Sequence, residues 1–205
     1  EVGNIPQLAH LWKTVQLSQS YVNPVVVAGP ATIKGADPVT VRIRNVTANS
    51  FQIRLNEWDY RDDRHSFERV DWMVVESGTH VLTDGTTLRA SKIDSQNQNW
   101  TLRTFNGAFD GSAEAPIIFT SVTTVRDAAA VTTRVRNVTN SGFRLRIQEE
   151  QAADQTHAGE EVSWIAIERG VGQTGSSDFI VADTGRVVDH RSHRINFSPT
   201  FASRP

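Results

Sequence analysis

The stretch Val41-Arg-Ile-Arg-Asn-Val-Thr47 occurs a second time in the chain, as Thr133-Arg-Val-Arg-Asn-Val-Thr139. The two stretches lie 92 positions apart (133 − 41), and the same offset joins Trp72 to Trp164. Self-similarity at one fixed spacing is the signature of a repeated structural unit. The sequence therefore predicts two copies of one fold.

The repeat extends over most of each copy. Upstream, residues 12–21 match residues 100–109 at an offset of 88 (100 − 12), and the extra residues of the second copy fall in the loop 110–115. Loops absorb insertions of this kind. Further pairs at the offset of 92 are Phe51 and Phe143, His65 and His157, Glu68 and Glu160, and Gly78 and Gly170.

These matches predict a division of the chain. We assign residues 1–98 to the first copy and residues 99–194 to the second. The pair Phe197 and Phe201 repeats a phenylalanine pair of the second copy. Residues 195–205 are therefore either a closing strand or the start of a third copy.

Strand signals dominate each copy, and no helical period is present. In residues 39–44 apolar and polar residues alternate, which puts Arg42 on the polar face of a strand. Residues 51–55 repeat this alternation, and the turn-rich link 45–50 predicts an antiparallel hairpin. Residues 70–76 are apolar on both faces and predict a central strand. The predicted fold class is all-β, with two tandem six-stranded antiparallel β-sandwiches.

The composition argues against several classes of partner. The 21 basic and 23 acidic residues nearly balance, so no long-range field draws in nucleic acid or an anionic membrane. No apolar run approaches the roughly 20 residues that cross a bilayer. The chain contains no cysteine, which excludes disulfides and cysteine-ligated metals. It opens at Glu1 rather than at Met, so we expect a longer precursor or a removed leader, and a secreted or extracellular location.

One group of residues has the chemistry of a shallow sugar site. Trp58 follows the strand 51–55 on its polar side, Tyr60 comes two residues later, and Arg42 projects from the same face of the neighbouring strand. An aromatic ring packs against a pyranose, a guanidinium donates to its hydroxyls, and Asp59 accepts from them. The alternative is that Trp58 covers a loop or domain interface and Arg42 belongs to a surface ion-pair ladder.

A histidine and a glutamate recur together, as His65 with Glu68 and as His157 with Glu160. On an extended segment, side chains three residues apart point to opposite faces, and no third ligand accompanies both pairs. We therefore expect no metal site. A hydrogen-bonded loop anchor or a contact at the rim of the sugar site fits the pairs better.

Catalysis is not expected. Glycoside hydrolysis needs two opposed carboxyl groups at a suitable separation. The dense acidic group at residues 59–63 lies on one short loop. We expect a protein that is not an enzyme and uses no cofactor.

The repeated pattern resembles the H-type lectin domain, which is found in snail agglutinins, in the C-terminal part of discoidins and in bacterial multidomain proteins. The resemblance rests on Pro-Val-Val-Val at 24–27, the stretch at 41–47, Phe51, the Glu-Trp pair at 57–58, and Trp-Met-Val-Val-Glu at 72–76. It implies a six-stranded sandwich, a habit of forming trimers, and binding of galactose-type sugars.

The same resemblance implies which residues bind. The family's pocket arginine and tryptophan correspond to Arg42 and Trp58, whereas Asp59 stands where the family has a histidine, and His65 lies near the position of a pocket tyrosine. In the second copy Arg134 keeps the arginine, but Glu150 replaces the tryptophan. We expect the first copy to bind, and the second, with His157, to bind weakly or serve as structure.

The sequence therefore predicts a non-catalytic carbohydrate-binding module or lectin that recognises a glycan or polysaccharide. Its expected context is a homo-oligomer or a linked catalytic domain. The alternative is a structural or assembly module without a sugar ligand, in which the sheet faces serve as protein interfaces.

Overall fold

The computed structural model describes residues 1–109, 114–174, 177–185, 187–198 and 201. These residues form β-strands and no helix, so the all-β prediction is confirmed. None of them belongs to a helix long and apolar enough to cross a bilayer.

Six strands build the first part of the chain, in two antiparallel three-stranded sheets. One sheet has the order β1-β6-β3 and the other the order β2-β5-β4. The strands are β1 (Val2–Leu8), β2 (Lys13–Gln16), β3 (Pro24–Ala31), β4 (Val39–Arg44), β5 (Ser50–Glu57) and β6 (Glu68–Glu76).

The second part repeats this arrangement and extends it by one strand. Its sheets have the orders β10-β13-β8-β7 and β11-β12-β9, and a separate hairpin, β14-β15, follows. The strands are β7 (Gly78–Val81), β8 (Thr87–Gln96), β9 (Thr101–Thr104), β10 (Ile117–Val122), β11 (Thr132–Thr139), β12 (Gly142–Gln148), β13 (Glu160–Ile167), β14 (Gly170–Thr174) and β15 (Ser177–Val181).

Strand pairing and sequence division differ at two strands, because β7 and β8 both lie before residue 99 but belong to a sheet of the second part. The division at 98/99 assigned β8 to the first copy, yet β8 pairs with β13 of the second. Its counterpart in the first copy is β1, which pairs with β6 in the same way. In each copy, the strand before the tryptophan-containing loop, β1 or β8, therefore pairs with the central strand of that same copy. The hairpin β7-β8 joins the two copies.

Two predicted elements are confirmed. Strands β4 and β5 form the antiparallel hairpin, with Val41 opposite Leu55. Asn45 begins the turn of this hairpin with positive φ, and Asn137 has positive φ at the register shift near the end of β11, a conformation that asparagine tolerates. Strand β6 lies between β1 and β3, as its apolar character on both faces predicts.

Each copy has its own core, and the two cores repeat an aromatic contact. Phe51 meets Trp72 edge to face at 5.6 Å, and Phe143 meets Trp164 at 5.5 Å, both measured between ring centroids. The apolar residues that alternate along β5 are fully buried. Residues of both sheets contribute to each core, so burial of these faces holds the sheets of a copy together.

A third apolar cluster joins the copies. Val25 and Val27 of β3 pack there with Leu88 and Ala90 of β8 and with Ile165 of β13. Val25 and Val27 leave β3 on the side away from the first core, so this sheet buries apolar residues on both faces. The outer sheet faces, which strand alternation alone would expose to solvent, therefore form part of the interface between the copies.

Candidate functional site

The guanidinium of Arg42 lies in the second copy rather than in solvent. Its Nη1 donates to the carbonyl oxygen of Ala129 at 2.8 Å, and its Nη2 lies 3.2 Å from Oε1 of Glu160. Nη2 also donates to the carbonyl oxygens of Thr124 and Asp127, at 3.3 Å each. The side chains of Arg42 and Glu160 are both 0% exposed. This is a buried ion pair between residues 118 positions apart.

Glu160 is held in place by its own copy. Its carboxylate accepts hydrogen bonds from the amides of Arg126 and Asp127 and from the hydroxyl of Thr124. The loop that supplies these donors also supplies the carbonyls that Arg42 contacts. We call Glu160 with residues 124–129 the second glutamate pocket. Its donors fix the carboxylate, and its carbonyls converge on one guanidinium.

The electrostatics of the pair follow from burial. Removal from water lowers the pKa of Arg42 below its usual value, and the charge of Glu160 opposes that shift. A buried arginine without an acidic partner would cost several kcal/mol (about 3–5). Glu160 is therefore what makes this position of Arg42 tolerable.

Other hydrogen bonds cross between the copies beside Arg42. Oδ1 of Asp59 accepts from the amide of Ala130 at 3.1 Å. The hydroxyl of Ser121 accepts from the amide of Ala28 at 3.0 Å and donates to its carbonyl at 3.3 Å. Asp59, which the sequence predicts at the sugar site, is thus hydrogen-bonded to the second copy.

The expectation that Arg42 faces an open surface is wrong. Alternation along β4 placed its side chain correctly on the face away from the first core. That face is covered by the second copy, which the pattern of one strand does not reveal. A guanidinium with no exposed surface is not available to a pyranose in this arrangement.

The first copy contains a corresponding pocket with a different occupant. Glu68 accepts from the amides of Lys34 and Gly35 at 2.7 Å each and from the hydroxyl of Thr32 at 2.5 Å. In this pocket His65 contacts the glutamate, with its Nε2 3.3 Å from Oε1 of Glu68, as Arg42 contacts Oε1 of Glu160 in the second pocket. We call Glu68 with its donors the first glutamate pocket.

The expectation that His65 and Glu68 point apart is wrong, because residues 59–67 form no strand and the period of two does not apply to them. The buried ring of His65 lies between two carboxylates, since its Nδ1 is 3.0 Å from Oε1 of Glu57. This is the loop anchor that the sequence allowed, and its burial argues against a contact with sugar.

In the second copy the equivalent histidine contacts carbonyl oxygens rather than the glutamate. His157 lies 3.2 Å from the carbonyl oxygen of Ala129 and 2.8 Å from that of Ala158, measured from its two ring nitrogens. Its Nδ1 is 4.0 Å from Oε1 of Glu160. In the second pocket, which holds an arginine, the histidine contacts mainly carbonyl oxygens. In the first pocket, which holds no arginine, the histidine contacts the glutamate.

Trp58 lies at a groove between the copies. The groove has a volume of about 1010 Å³, and its wall includes Trp58, Thr40 and Asp71 from the first copy and Thr133 from the second. The side chain of Trp58 is half-buried. Of the predicted sugar-site residues, Trp58 thus faces a concave surface with polar groups nearby, although Arg42 does not join it.

The remaining predicted residues do not assemble with Trp58 into one open site. Tyr60 is exposed, but the guanidinium of Arg61 lies over its ring at 5.0 Å from the centroid. In the second copy Arg134 is exposed on β11, and Glu150 is half-buried with its carbonyl accepting from Gln155.

A tryptophan and arginine stack was missed by the sequence argument although it recurs in both copies. The guanidinium of Arg44 lies 4.0 Å from the ring centroid of Trp12, and that of Arg136 lies 4.0 Å from the centroid of Trp100. The repeat could have revealed it, because all four residues are retained between copies. An arginine on the ring leaves less of either indole free for a sugar.

The partners of Arg42 were also missed. Glu160 repeats Glu68, and Thr124 repeats Thr32 at the offset of 92. The retained glutamate and threonine indicate that both copies contain the same pocket, but they do not indicate which side chain binds in it. No group of three or more histidine, cysteine or acidic residues within the described ranges is placed to hold a metal ion.

Comparison with known proteins gives one relative. No protein-family model matches the chain, and no solved structure matches it. The chain is 35% identical over 201 residues to Halomucin of Haloquadratum walsbyi, in an alignment that covers 93% of this chain and 2% of Halomucin. The chain therefore spans a small fraction of that relative's length. The H-type lectin resemblance gains no support from these comparisons and stays a prediction.

Two buried glutamates should respond to pH in opposite ways. For Glu68, burial raises the pKa, but hydrogen bonds from Thr32, Gly35, Lys34 and His65 outweigh it, and the pKa is lowered. Its contribution to stability is present at neutral pH and is lost as the pH falls through the lowered pKa. For Glu149, burial raises the pKa, so its ionised form costs stability at neutral pH, and that cost disappears on acidification.

We predict that Glu68→Gln lowers the free energy of unfolding at pH 7 by about 1–3 kcal/mol, because charge-assisted hydrogen bonds are lost. Glu149→Gln should raise it at pH 7 and leave it unchanged at pH 3. Urea unfolding of both variants at the two pH values checks this. Shifts of the same sign at pH 7 would contradict the assignment.

Proposed function

We propose that this chain is a non-catalytic structural module, a tandem of domains locked to one another, which forms part of a longer extracellular polypeptide. The observation that carries the proposal is the burial of Arg42 of one copy against Glu160 of the next. Similarity to a segment that makes up 2% of Halomucin is consistent with a role as one unit of a long chain.

The chemistry of the lock suits a structural role. Replacing a buried ion pair by apolar residues is often neutral or stabilising, so such a pair is a poor source of net stability. Its well-attested use is to fix one register among several. Here the pocket accepts a planar group with several donors, which Arg42 supplies and lysine would not.

The apolar cluster supplies the adhesion that the ion pair does not. Val25, Val27, Leu88 and Ile165 are buried between the copies. Apolar contact is non-directional and roughly proportional to area, so it favours many relative positions of two sheets. Arg42 entering one pocket selects a single position.

Within this proposal each copy is a six-stranded sandwich of the H-type lectin kind. The paired sheets with a shared core, β1-β6-β3 with β2-β5-β4, support that architecture for the first copy. In the family the arginine serves the sugar pocket, whereas here the corresponding Arg42 is used for packing. Because Arg42 is buried here, we propose a structural role as the leading function and sugar binding as the second.

We predict that Arg42→Gln uncouples the copies without unfolding either core. Amide hydrogens of β3 and β8, which lie at the interface, should exchange faster in the variant, because Glu160 is left buried without its cation. Amides of β5 and β12, in the two cores, should keep their protection. Hydrogen exchange followed by mass spectrometry of peptides measures both groups at once.

Arg134→Gln is the matched control, because Arg134 is the equivalent arginine on an uncovered face. It should leave exchange at β3 and β8 unchanged. Equal exchange at the interface in Arg42→Gln and the unaltered chain would overturn the proposed structural role.

A second candidate function, carbohydrate binding, is favoured by the groove at Trp58. A half-buried indole on a concave wall can pack against a pyranose while Thr40, Asp71 and Thr133 offer hydrogen-bonding groups. A single shallow site of this kind would bind with a dissociation constant on the order of 1 mM. Several linked copies would then be needed for retention.

If the groove binds glycans, retention of the chain on immobilised polysaccharides or a glycan array should be lost in Trp58→Ala. Trp12→Ala serves as the control, because its ring is already covered by Arg44. Equal retention of the Trp58 variant and the unaltered chain, or no binding at all, would remove this candidate.

A further inference from the structure

The interface between the copies has two halves, and each copy carries a version of both. The first copy presents Val27 and Arg42, and the second copy receives them with Ala90 and the second glutamate pocket. By the repeat, the second copy also has a presenting half, formed by Phe119 and Arg134. We call this pair the presenting face of the second copy.

The exposed fractions of equivalent side chains show which presenting halves are covered by another copy. Val27 is 6% exposed, whereas its counterpart Phe119 is 39% exposed. Arg42 is fully buried, whereas Arg134 is exposed. An aromatic side chain and an arginine at equivalent places of a covered face are thus uncovered on the second copy. Aromatic and arginine side chains are enriched where interfaces form.

The chain itself indicates what belongs there. In the hairpin β14-β15, Gly170 pairs with Val181 as Gly78 pairs with Ala90 in β7-β8. Both glycines have a left-handed φ, +139° and +133°, which most residues avoid. The hairpin that joins the first two copies is therefore built a second time, and β15 stands where the first strand of a following copy would stand.

The side chains of β15 support the same assignment. Val181 is buried in the interface cluster at the position that Ala90 occupies one copy earlier, and Phe179 packs beside it. Further on, Phe197 and Phe201 meet edge to face at 5.4 Å, as Phe105 and Phe109 do at 5.0 Å in the second copy. The described residues 187–198 and 201 form no strand, so the rings of Phe197 and Phe201 contact each other outside a complete sandwich.

We propose that a third copy of this repeat, beginning with β15, docks on the presenting face of the second copy. Arg134 enters a buried glutamate pocket of that third copy, as Arg42 enters the second pocket. The inference rests on the proposed structural function, and it extends the lock from one junction to a series of junctions.

The first copy shows such a pocket before docking. There His65 contacts the glutamate, with its Nε2 3.3 Å from Oε1 of Glu68. In the occupied second pocket, His157 contacts the carbonyls of Ala129 and Ala158 instead. Docking thus exchanges a histidine for an arginine at the glutamate, and the histidine turns to carbonyl oxygens.

The test extends the chain by one copy. Residues 1–181 are followed directly by residues 91–205, so that the new junction after Val181 repeats the existing junction after Ala90. Because the chain contains no cysteine, one cysteine introduced by Phe119→Cys in the middle copy reports exposure through its labelling by a maleimide. The same variant of the present chain gives the exposed rate, and Val27→Cys gives the covered rate.

We expect labelling of Phe119→Cys in the middle copy to be about tenfold slower or more than in the present chain, since a covered thiol reacts only after local opening. Leu102→Cys, on the exposed part of β9, should react equally in both chains. Arg134→Gln in the middle copy should restore fast labelling.

Equally fast labelling of Phe119→Cys in both chains would overturn the inference, as would a three-copy chain that fails to fold. Failure of the proposed function reads differently. In that case Arg42→Gln in the present chain leaves exchange at β3 and β8 unchanged, whatever the three-copy chain does.

Discussion

A guanidinium removed from water must be met by an opposite charge and by acceptors for its remaining hydrogens, and this requirement fixes how the copies sit together. Arg42 meets it at its two terminal nitrogens, which contact Glu160 and three carbonyl oxygens of the loop 124–129, whereas its buried Nε has no hydrogen-bond partner. Few relative positions of two β domains bring these groups into reach. The surrounding apolar cluster adds area, while the ion pair decides where that area lies.

The glutamate pocket is a reusable element because its own copy organises it. In both copies a glutamate at the start of a strand accepts from a threonine hydroxyl and from loop amides. The histidine three residues earlier contacts the glutamate when no arginine is present. A preformed carboxylate costs little reorganisation when the cation arrives, which suits a junction that is used repeatedly along a chain.

The sequence predicted the fold class, the hairpin β4-β5 and the central strand β6, because each of these depends on a local pattern of burial along one strand. It did not predict the surroundings of Arg42, since alternation gives the face of a side chain but not what covers that face. His65 was misplaced because a period of two was applied to a loop. Trp58 was correctly placed away from the core, but its groove is formed by two copies and no single strand reveals it.

The most direct test of the central claim is a double-mutant cycle on Arg42→Gln and Glu160→Gln, with the free energy of unfolding measured by urea at pH 7. If the two groups hold each other in the interior, the double variant should be more stable than the sum of the single losses implies, by about 1–3 kcal/mol. Losses that add within about 0.5 kcal/mol would show that the groups act independently and would contradict the lock.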